Sequence, residues 1–205
     1  MPKHALDLGK VLFGRLGSLD KTRLKVEALL AQRQIGVRDV EALYAGLFVT
    51  SVAMFEAFLE DLFFGLLVGG LGHPEASPRT EFRSYAVARE FVYAGKNYLD
   101  WLPYDRTASR AKIFFTGGRP FTSLPDESKS ILHKSAIIRN ALAHKSRYSR
   151  RKFDRDVIGS TPLSPRESTP TGFLRSQTRI SPPGCRFEVL LFELANAGIF
   201  LCTNR

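Results

Sequence analysis

The residue types best suited to chemistry in this sequence stand together in Arg139-Asn140-Ala141-Leu142-Ala143-His144. The imidazole of His144 can take up and release a proton near neutral pH, and the planar guanidinium of Arg139 can bind two phosphate oxygens at once. Asn140 adds a side-chain amide. This set is suited to metal-free cleavage of RNA, in which the ribose 2′-OH attacks the phosphate, a histidine moves protons and an arginine neutralises the charge that develops.

Other catalytic chemistries have no matching pattern in the chain. The sequence contains no HExxH or CxxC group with the spacing of metal ligands, no serine in a G-x-S-x-G turn and no phosphate-binding loop. The two cysteines, Cys185 and Cys202, are too few for a disulfide framework or a zinc site and are expected to be small apolar fillers. We therefore expect neither a metal nor a cofactor.

The spacing of Arg139 and His144 raises a geometric question. In a regular helix, residues five apart point about 140° apart around the axis, so the two side chains would not converge, whereas Asn140 and His144 share a face. Spacing alone favours a surface arginine and a half-buried histidine. Convergence requires either that the helix ends near Ala143 or that a second copy completes the site. A twofold dimer would also supply two imidazoles, one as base and one as acid.

A basic cluster follows the motif directly. Cations can bind an RNA backbone, and aromatic side chains between them can stack on unpaired bases. A solvated helix end, where cations suit the helix dipole, would show the same composition. Because the cluster adjoins the motif, we favour RNA contact. The candidate RNA-binding residues are Lys145, Arg147, Tyr148, Arg150, Arg151 and Lys152, and the cluster also includes Phe153 and Arg155.

The overall charge agrees with a polyanionic partner. The 205 residues carry 30 Lys and Arg against 20 Asp and Glu, a formal net charge of +10, which suits nucleic acid or an anionic surface. The most apolar run, residues 43–71, is interrupted by Glu56, Glu60 and Asp61, which argues against a membrane span. The first residues lack the pattern of a signal peptide, so a cytoplasmic protein is expected.

The pattern of apolar residues predicts an all-α fold with long connections. One helix is expected from about Ser18 or Asp20 to Gln34, and a long second one from Val37 to Leu67 with apolar residues three to five apart. Residues 84–94 could be a short helix or an extended segment. Further helices are predicted over 104–115, from a cap at Ser123 through the motif, and over 186–201. The last is apolar nearly all round.

The domain organisation follows from these elements. Residues 1–36 read as an N-terminal helical segment, and residues 37–205 as one helical domain. Residues 157–184 contain five prolines with many serines and threonines, which predicts a long irregular loop. The sequence does not decide whether this loop is a lid or a tether.

The motif resembles the R-x4-H motif of the HEPN superfamily of helical RNA- and nucleotide-binding domains. Residues 49–66, including Glu56, are similar to the long early helix of the subset called RiboL-PSP-HEPN. Residues 115–124 resemble its segment before the motif, and residues 172–174 and 187–194 resemble its closing part. The resemblance extends over most of residues 40–200 and is weak at 72–100.

The resemblance implies a helical bundle, a homodimer with facing motifs and metal-independent endoribonuclease activity, often in toxins or phage defence. Arg139 and His144 would take the motif positions, Asn140 the polar position between them, and Glu56 a supporting acidic position. Glu56 is equally typical of a capping or ion-pairing residue. Two alternatives stay open: a non-catalytic module that binds RNA or a nucleotide, and an interaction subunit that binds a protein such as an antitoxin.

Overall fold

A computed structural model describes residues 4–144, 146–179 and 183–203. Over the described residues the protein is 71% helical, with eight α-helices and no strand, so the predicted all-α fold is confirmed. The helices are α1 (Ala5–Ala31), α2 (Val37–Leu67), α3 (Tyr85–Tyr93), α4 (Tyr104–Phe114), α5 (Asp126–His144), α6 (Arg147–Phe153), α7 (Pro170–Arg175) and α8 (Arg186–Thr203). Short 3-10 turns at Thr116–Gly118 and Phe121–Ser123 precede α5, and a π-helical turn, Asp154–Ile158, follows α6.

Helix α2 has the predicted bounds. Its apolar positions recur at helical spacing, and Val52, Phe55, Leu59 and Leu62 are fully buried. By length and composition α2 could cross a membrane, and 39% of its most apolar window is buried within the protein. One such helix is weak evidence of a membrane span, because core helices of soluble proteins can have the same length and composition. Its Glu60 carboxylate accepts hydrogen bonds from Tyr93 Oη (2.9 Å) and Trp101 Nε1 (3.1 Å).

Helix α1 begins much earlier than predicted. The expected start at Ser18 or Asp20 is wrong, because the chain is helical from Ala5 through Gly9, Gly14 and Gly17. A Cβ atom at Gly9 would lie 3.1 Å from Sγ of Cys202 and from Cδ1 of Ile199. The glycine therefore allows close packing of α1 on α8, and this packing outweighs the low helix propensity of glycine.

Two further expectations need correction. Ser123 does not cap α5, because it ends a 3-10 turn and the helix begins at Asp126, directly after Pro125. Residues 157–184 are also not irregular throughout, since they contain α7. The Thr169 side chain caps α7 by accepting a hydrogen bond from the Gly172 amide at 3.0 Å. The ambiguous segment 84–94 is helical, with Ser84 as its N-cap.

Contacts group the residues into two compact units. The first unit contains the chain up to Gly14, Met54–His133 and the chain from Ala195; the second contains Arg15–Ala53 and Lys134–Leu194. The predicted boundary at residue 36 stays a prediction.

The first unit is built around an aromatic cluster. The ring of Phe63 lies 5.3 Å from Trp101, 5.1 Å from Phe115 and 5.4 Å from Phe121, measured between centroids. All four side chains are almost completely buried. Aromatic rings bury large areas and favour edge or tilted contacts of this kind, so this cluster accounts for much of the packing in the unit.

The second unit combines aromatic packing with an internal ion pair. Tyr44 packs on Phe187 at 5.3 Å between ring centroids. Its hydroxyl donates to Glu27 at 2.8 Å, and Glu27 also accepts two hydrogen bonds from Arg175, at 2.8 and 2.9 Å. This network ties α1, α2 and α7 together, and the whole motif Arg139–His144 lies in the same unit.

Candidate nucleic-acid interface

Helix α5 positions the three motif side chains. Asp126 and Glu127 stand in its first turn, where negative charge is favourable beside the positive end of the helix dipole. Ile137, Ile138 and Ala141 are buried, so apolar packing holds the segment that carries the motif. The helix remains regular through His144, its last residue.

Within one chain, Arg139 and His144 leave α5 in different directions. Because the helix continues through His144, the two residues are about 140° apart around the axis and about 7.5 Å apart along it. Arg139 is half-buried and makes contacts within the protein, whereas His144 is exposed. The helix thus does not end early enough for His144 to turn back towards Arg139. Completion of the site by a second copy stays a prediction.

Asn140 lies between these two directions. It is half-buried, four residues before His144, and so shares the same side of α5 with the imidazole. Asn140 and His144 are therefore a pair on one face, and Arg139 lies about 100° from Asn140 around the helix axis.

Glu56, the candidate supporting residue, lies on α2 in the other unit. It is half-buried and has interactions within the protein. This environment is consistent with an ion-pairing or capping role for Glu56. It is equally consistent with a role in support of the motif, so both alternatives stay open.

Helix α6 presents the basic cluster to solvent. It begins after Ser146, whose side chain accepts a hydrogen bond from the Ser149 amide at 3.1 Å. Ser149 and Phe153 are buried on one side, and the opposite side carries Arg147, Tyr148 and Arg151, with Lys152 at its border. Tyr148 is 76% exposed. An aromatic ring therefore lies between exposed cations. The candidate Lys145 lies outside the described residues.

Three members of the cluster are committed to internal contacts. Phe153 is fully buried against Phe173, at 5.8 Å between ring centroids, so it cannot stack on a base. Arg150 donates through Nε to both oxygens of Asp154, at 3.0 and 3.2 Å, and through Nη2 to the carbonyl of Ser168 at 2.9 Å. Arg155 pairs with Asp156 at 2.5 Å. The cations left for a ligand are therefore mainly Arg147, Arg151 and Lys152. Of the Arg150 guanidinium, only Nη1 remains without a partner among the described residues.

The other histidines do not join the motif. His133 is exposed on α5, and His4 is exposed before α1. His73 is half-buried, accepts a hydrogen bond from the Glu75 amide at 3.1 Å, and has its pKa lowered by burial. Over the described part of the chain, no three His, Cys, Asp or Glu residues are placed to hold a metal ion.

A cleft of about 500 Å³ lies beside the motif helix, and all of its lining residues belong to the second unit. No sequence pattern indicated this cleft. Ala141 and Leu142 of α5 form one wall, and Arg38, Glu41 and two alanines of α2 form another. The α2 residues follow the spacing 38, 41, 42, 45, which is one side of a helix. That spacing is visible in the sequence, but nothing there indicated which helix would pack opposite.

Compared with protein-family models, curated proteins and solved structures, the chain matches none of them.

Proposed function

We propose that this protein is a metal-independent endoribonuclease of the HEPN type that acts as a homodimer. The observation that carries the proposal is the order of features in the second unit: Arg139, Asn140 and His144 at the end of α5, then the exposed cations of α6. A ribonuclease of this kind needs a proton carrier, a phosphate-neutralising group and a surface that holds the strand. These three requirements are met within about fifteen residues of chain.

The reaction consists of one transfer at phosphorus. The 2′-OH gives its proton to a neutral imidazole, its oxygen bonds to phosphorus, and the bond from phosphorus to the 5′-oxygen breaks. A second, protonated imidazole gives a proton to the leaving 5′-oxygen. The products are a 2′,3′-cyclic phosphate and a 5′-hydroxyl. Arg139 would stabilise the charge on the non-bridging oxygens with its two parallel N–H donors.

A second copy of the chain fits this chemistry for two reasons. One chain carries one histidine in the motif, and the reaction uses a base and an acid. The exposure of His144 at the end of α5 leaves it available to a partner, while Arg139 points elsewhere. A twofold axis beside the end of α5 would bring two such helices together.

The biological setting proposed here is that of a toxin or phage-defence effector in the cytoplasm, with RNA as substrate and an antitoxin or regulatory protein as a further partner. The net charge of +10 supports an RNA partner. No membrane role is proposed, because Glu60 inside α2 is bound by Tyr93 and Trp101 of the same unit.

The test is cleavage of a single-stranded RNA by the purified full chain in the presence of EDTA. We expect a cyclic-phosphate product, no cleavage where the target nucleotide carries a 2′-deoxy sugar, and a loss of about 100-fold or more with His144→Ala. His133→Ala is the matched control, because it removes an exposed histidine from the same helix. Cleavage that requires magnesium, or that survives His144→Ala, would contradict the mechanism.

A non-catalytic RNA-binding module is the second candidate. It is favoured by one observation, that α6 exposes Arg147, Tyr148 and Arg151 on one side without help from a second copy. This candidate predicts salt-dependent RNA binding and no product at any protein concentration. The same EDTA assay, read together with a binding titration, therefore separates the two functions.

A further inference from the structure

The cleft between α2 and α5 has the dimensions and lining of a nucleobase site. Its volume of about 500 Å³ is in the range of small-ligand pockets. The alanines Ala42, Ala45 and Ala141 line it and project no more than a methyl group, so a flat ring can approach the helix surfaces closely. Leu142 adds apolar surface on the α5 side.

Two charged side chains of opposite sign line the cleft without pairing. Arg38 and Glu41 stand three residues apart on one side of α2. Within the described residues neither makes a hydrogen bond or a direct ion pair, although the charge of Glu41 adds to the hydrogen bonds with Glu27 in raising the pKa of Arg175. Arg38 is exposed and Glu41 is half-buried. One offers a fork of donors and the other two acceptor oxygens, so the pair is complementary to a ligand that presents acceptors beside donors.

The cleft also adjoins both candidate motif residues. Ala141 is three residues before His144, and Leu142 is three residues after Arg139. Residues three apart on a helix are neighbours, with Cβ atoms about 5–6 Å apart. A strand that passes the motif would thus have a neighbouring nucleotide within reach of the cleft.

Arg150 supplies a fixed cation at the same cleft. Its Nε and Nη2 are held by Asp154 and by the carbonyl of Ser168, while in the described structure Nη1 has no partner. A guanidinium oriented in this way is suited to a phosphate, since little side-chain freedom remains to be lost on binding.

From these observations we propose that the cleft binds one guanine nucleotide of the RNA strand, with Arg38 donating to O6 and N7 and Glu41 accepting from N1–H and the 2-amino group. Guanine presents this acceptor pair and donor pair on adjacent edges. Adenine reverses the polarity at position 6, which would place its amino group against the donors of Arg38 and its N1 lone pair against the Glu41 carboxylate, so both contacts would be lost. The inference rests on the proposed RNA function and adds the base that the site selects.

The test uses the full chain with His144→Ala, so that RNA is not consumed, and fluorescent oligouridylates with one central G, A or C. We expect the oligomer with G to bind about tenfold more tightly than the one with A. Glu41→Gln and Arg38→Gln should each bring this ratio close to one. Glu81→Gln is the matched control: it also removes one negative charge, but at an exposed site outside the cleft, and it should retain the preference.

Each other outcome has a definite meaning. Equal binding of the three oligomers, a preference for A or C, or a guanine preference that survives Glu41→Gln would overturn the guanine site. A parallel cleavage assay with His144 intact separates the two proposals. Guanine-selective binding without cleavage would support the guanine site and contradict the proposed nuclease activity. Cleavage without guanine selectivity would support the nuclease activity and contradict the guanine site. Absence of any RNA binding contradicts both.

Discussion

At the scale of single residues, the arginines differ in whether the protein itself supplies their partners. Arg150 and Arg175 are both held in internal contacts, whereas Arg147 and Arg151 point to solvent. Arg175 with Glu27 and the Tyr44 hydroxyl forms a network in which every group has an ionic or hydrogen-bonded partner. Such partly buried charge-assisted bonds are stronger than exposed pairs, so they contribute to the stability of the second unit.

The Glu27 network predicts a pH-dependent contribution to stability. The hydrogen bonds from Arg175 are the largest cause that holds the Glu27 pKa below its ordinary value; burial opposes them, and the Tyr44 bond adds to them. The contribution is complete above the unfolded pKa of about 4.3 and is lost as pH falls through the lower folded pKa. We expect Glu27→Gln to lower the free energy of unfolding by about 1–2 kcal/mol at pH 7.

The measurement is urea unfolding of the wild type and Glu27→Gln at pH 7 and near pH 3. The difference between them should shrink at the lower pH, because a protonated Glu27 resembles glutamine. Glu81→Gln should show little difference at either pH. If the two proteins differed in free energy of unfolding by the same amount at both pH values, the charge of Glu27 would not contribute to stability.

At the scale of elements, α6 decides which cations of the basic cluster are open to a ligand. The helix buries Ser149 and Phe153, and this fixes Arg147 and Arg151 on the solvent side. Its start is set by the Ser146 cap, so the cluster is a separate helix and not a continuation of α5. A defined surface of this kind should act on RNA through its phosphates and not through sequence.

The expected signature is a change in salt dependence. Replacement of both Arg147 and Arg151 by alanine should reduce the slope of log K against log salt by about 1.4, since each phosphate contact to a single strand contributes about 0.7. Binding titrations on one labelled RNA at several salt concentrations measure this slope. The control replaces Arg15 and Lys25, two exposed cations of α1. If the control variant reduced the slope by the same amount, the effect would come from the net charge of the protein and not from the cations of α6.

At the scale of the whole molecule, the question is how many chains make one site. Each chain offers an exposed His144 and a half-buried Arg139 in different directions. In a twofold dimer, the base and the acid of one site would be the His144 imidazoles of the two chains. A chain that lacks its imidazole would then inactivate the wild-type chain with which it pairs.

Mixing wild-type chains with an equal amount of His144→Ala chains tests this arrangement. Random exchange makes about one quarter of the dimers fully wild type and about half of them mixed, so cleavage should fall to about one quarter if one site needs both imidazoles. If each chain had its own complete site, about half of the cleavage would remain. His133→Ala chains in the same mixture should leave cleavage unchanged. Retention of about half of the activity, with mixed dimers shown by co-purification of two tags, would refute the shared site.

The sequence by itself determined the helical elements that depend on local signals. Gly36 and the regular apolar spacing defined α2, and the pair Gly117-Gly118 ended α4 close to where it was expected. The motif on α5 was also visible, because it depends on residue types at fixed intervals along one helix. These features are local, so neighbouring residues carry the information for them.

Only the tertiary structure decided the rest. Helix α1 extends through its glycines because α8 packs closely at Gly9, and Phe153 is unavailable to RNA because Phe173 covers it. The same holds for the cleft, where Arg38 and Glu41 of α2 meet Ala141 and Leu142 of α5 across nearly a hundred residues of sequence. Packing between distant segments determines burial and pairing, and neither follows from the spacing of residues within one helix.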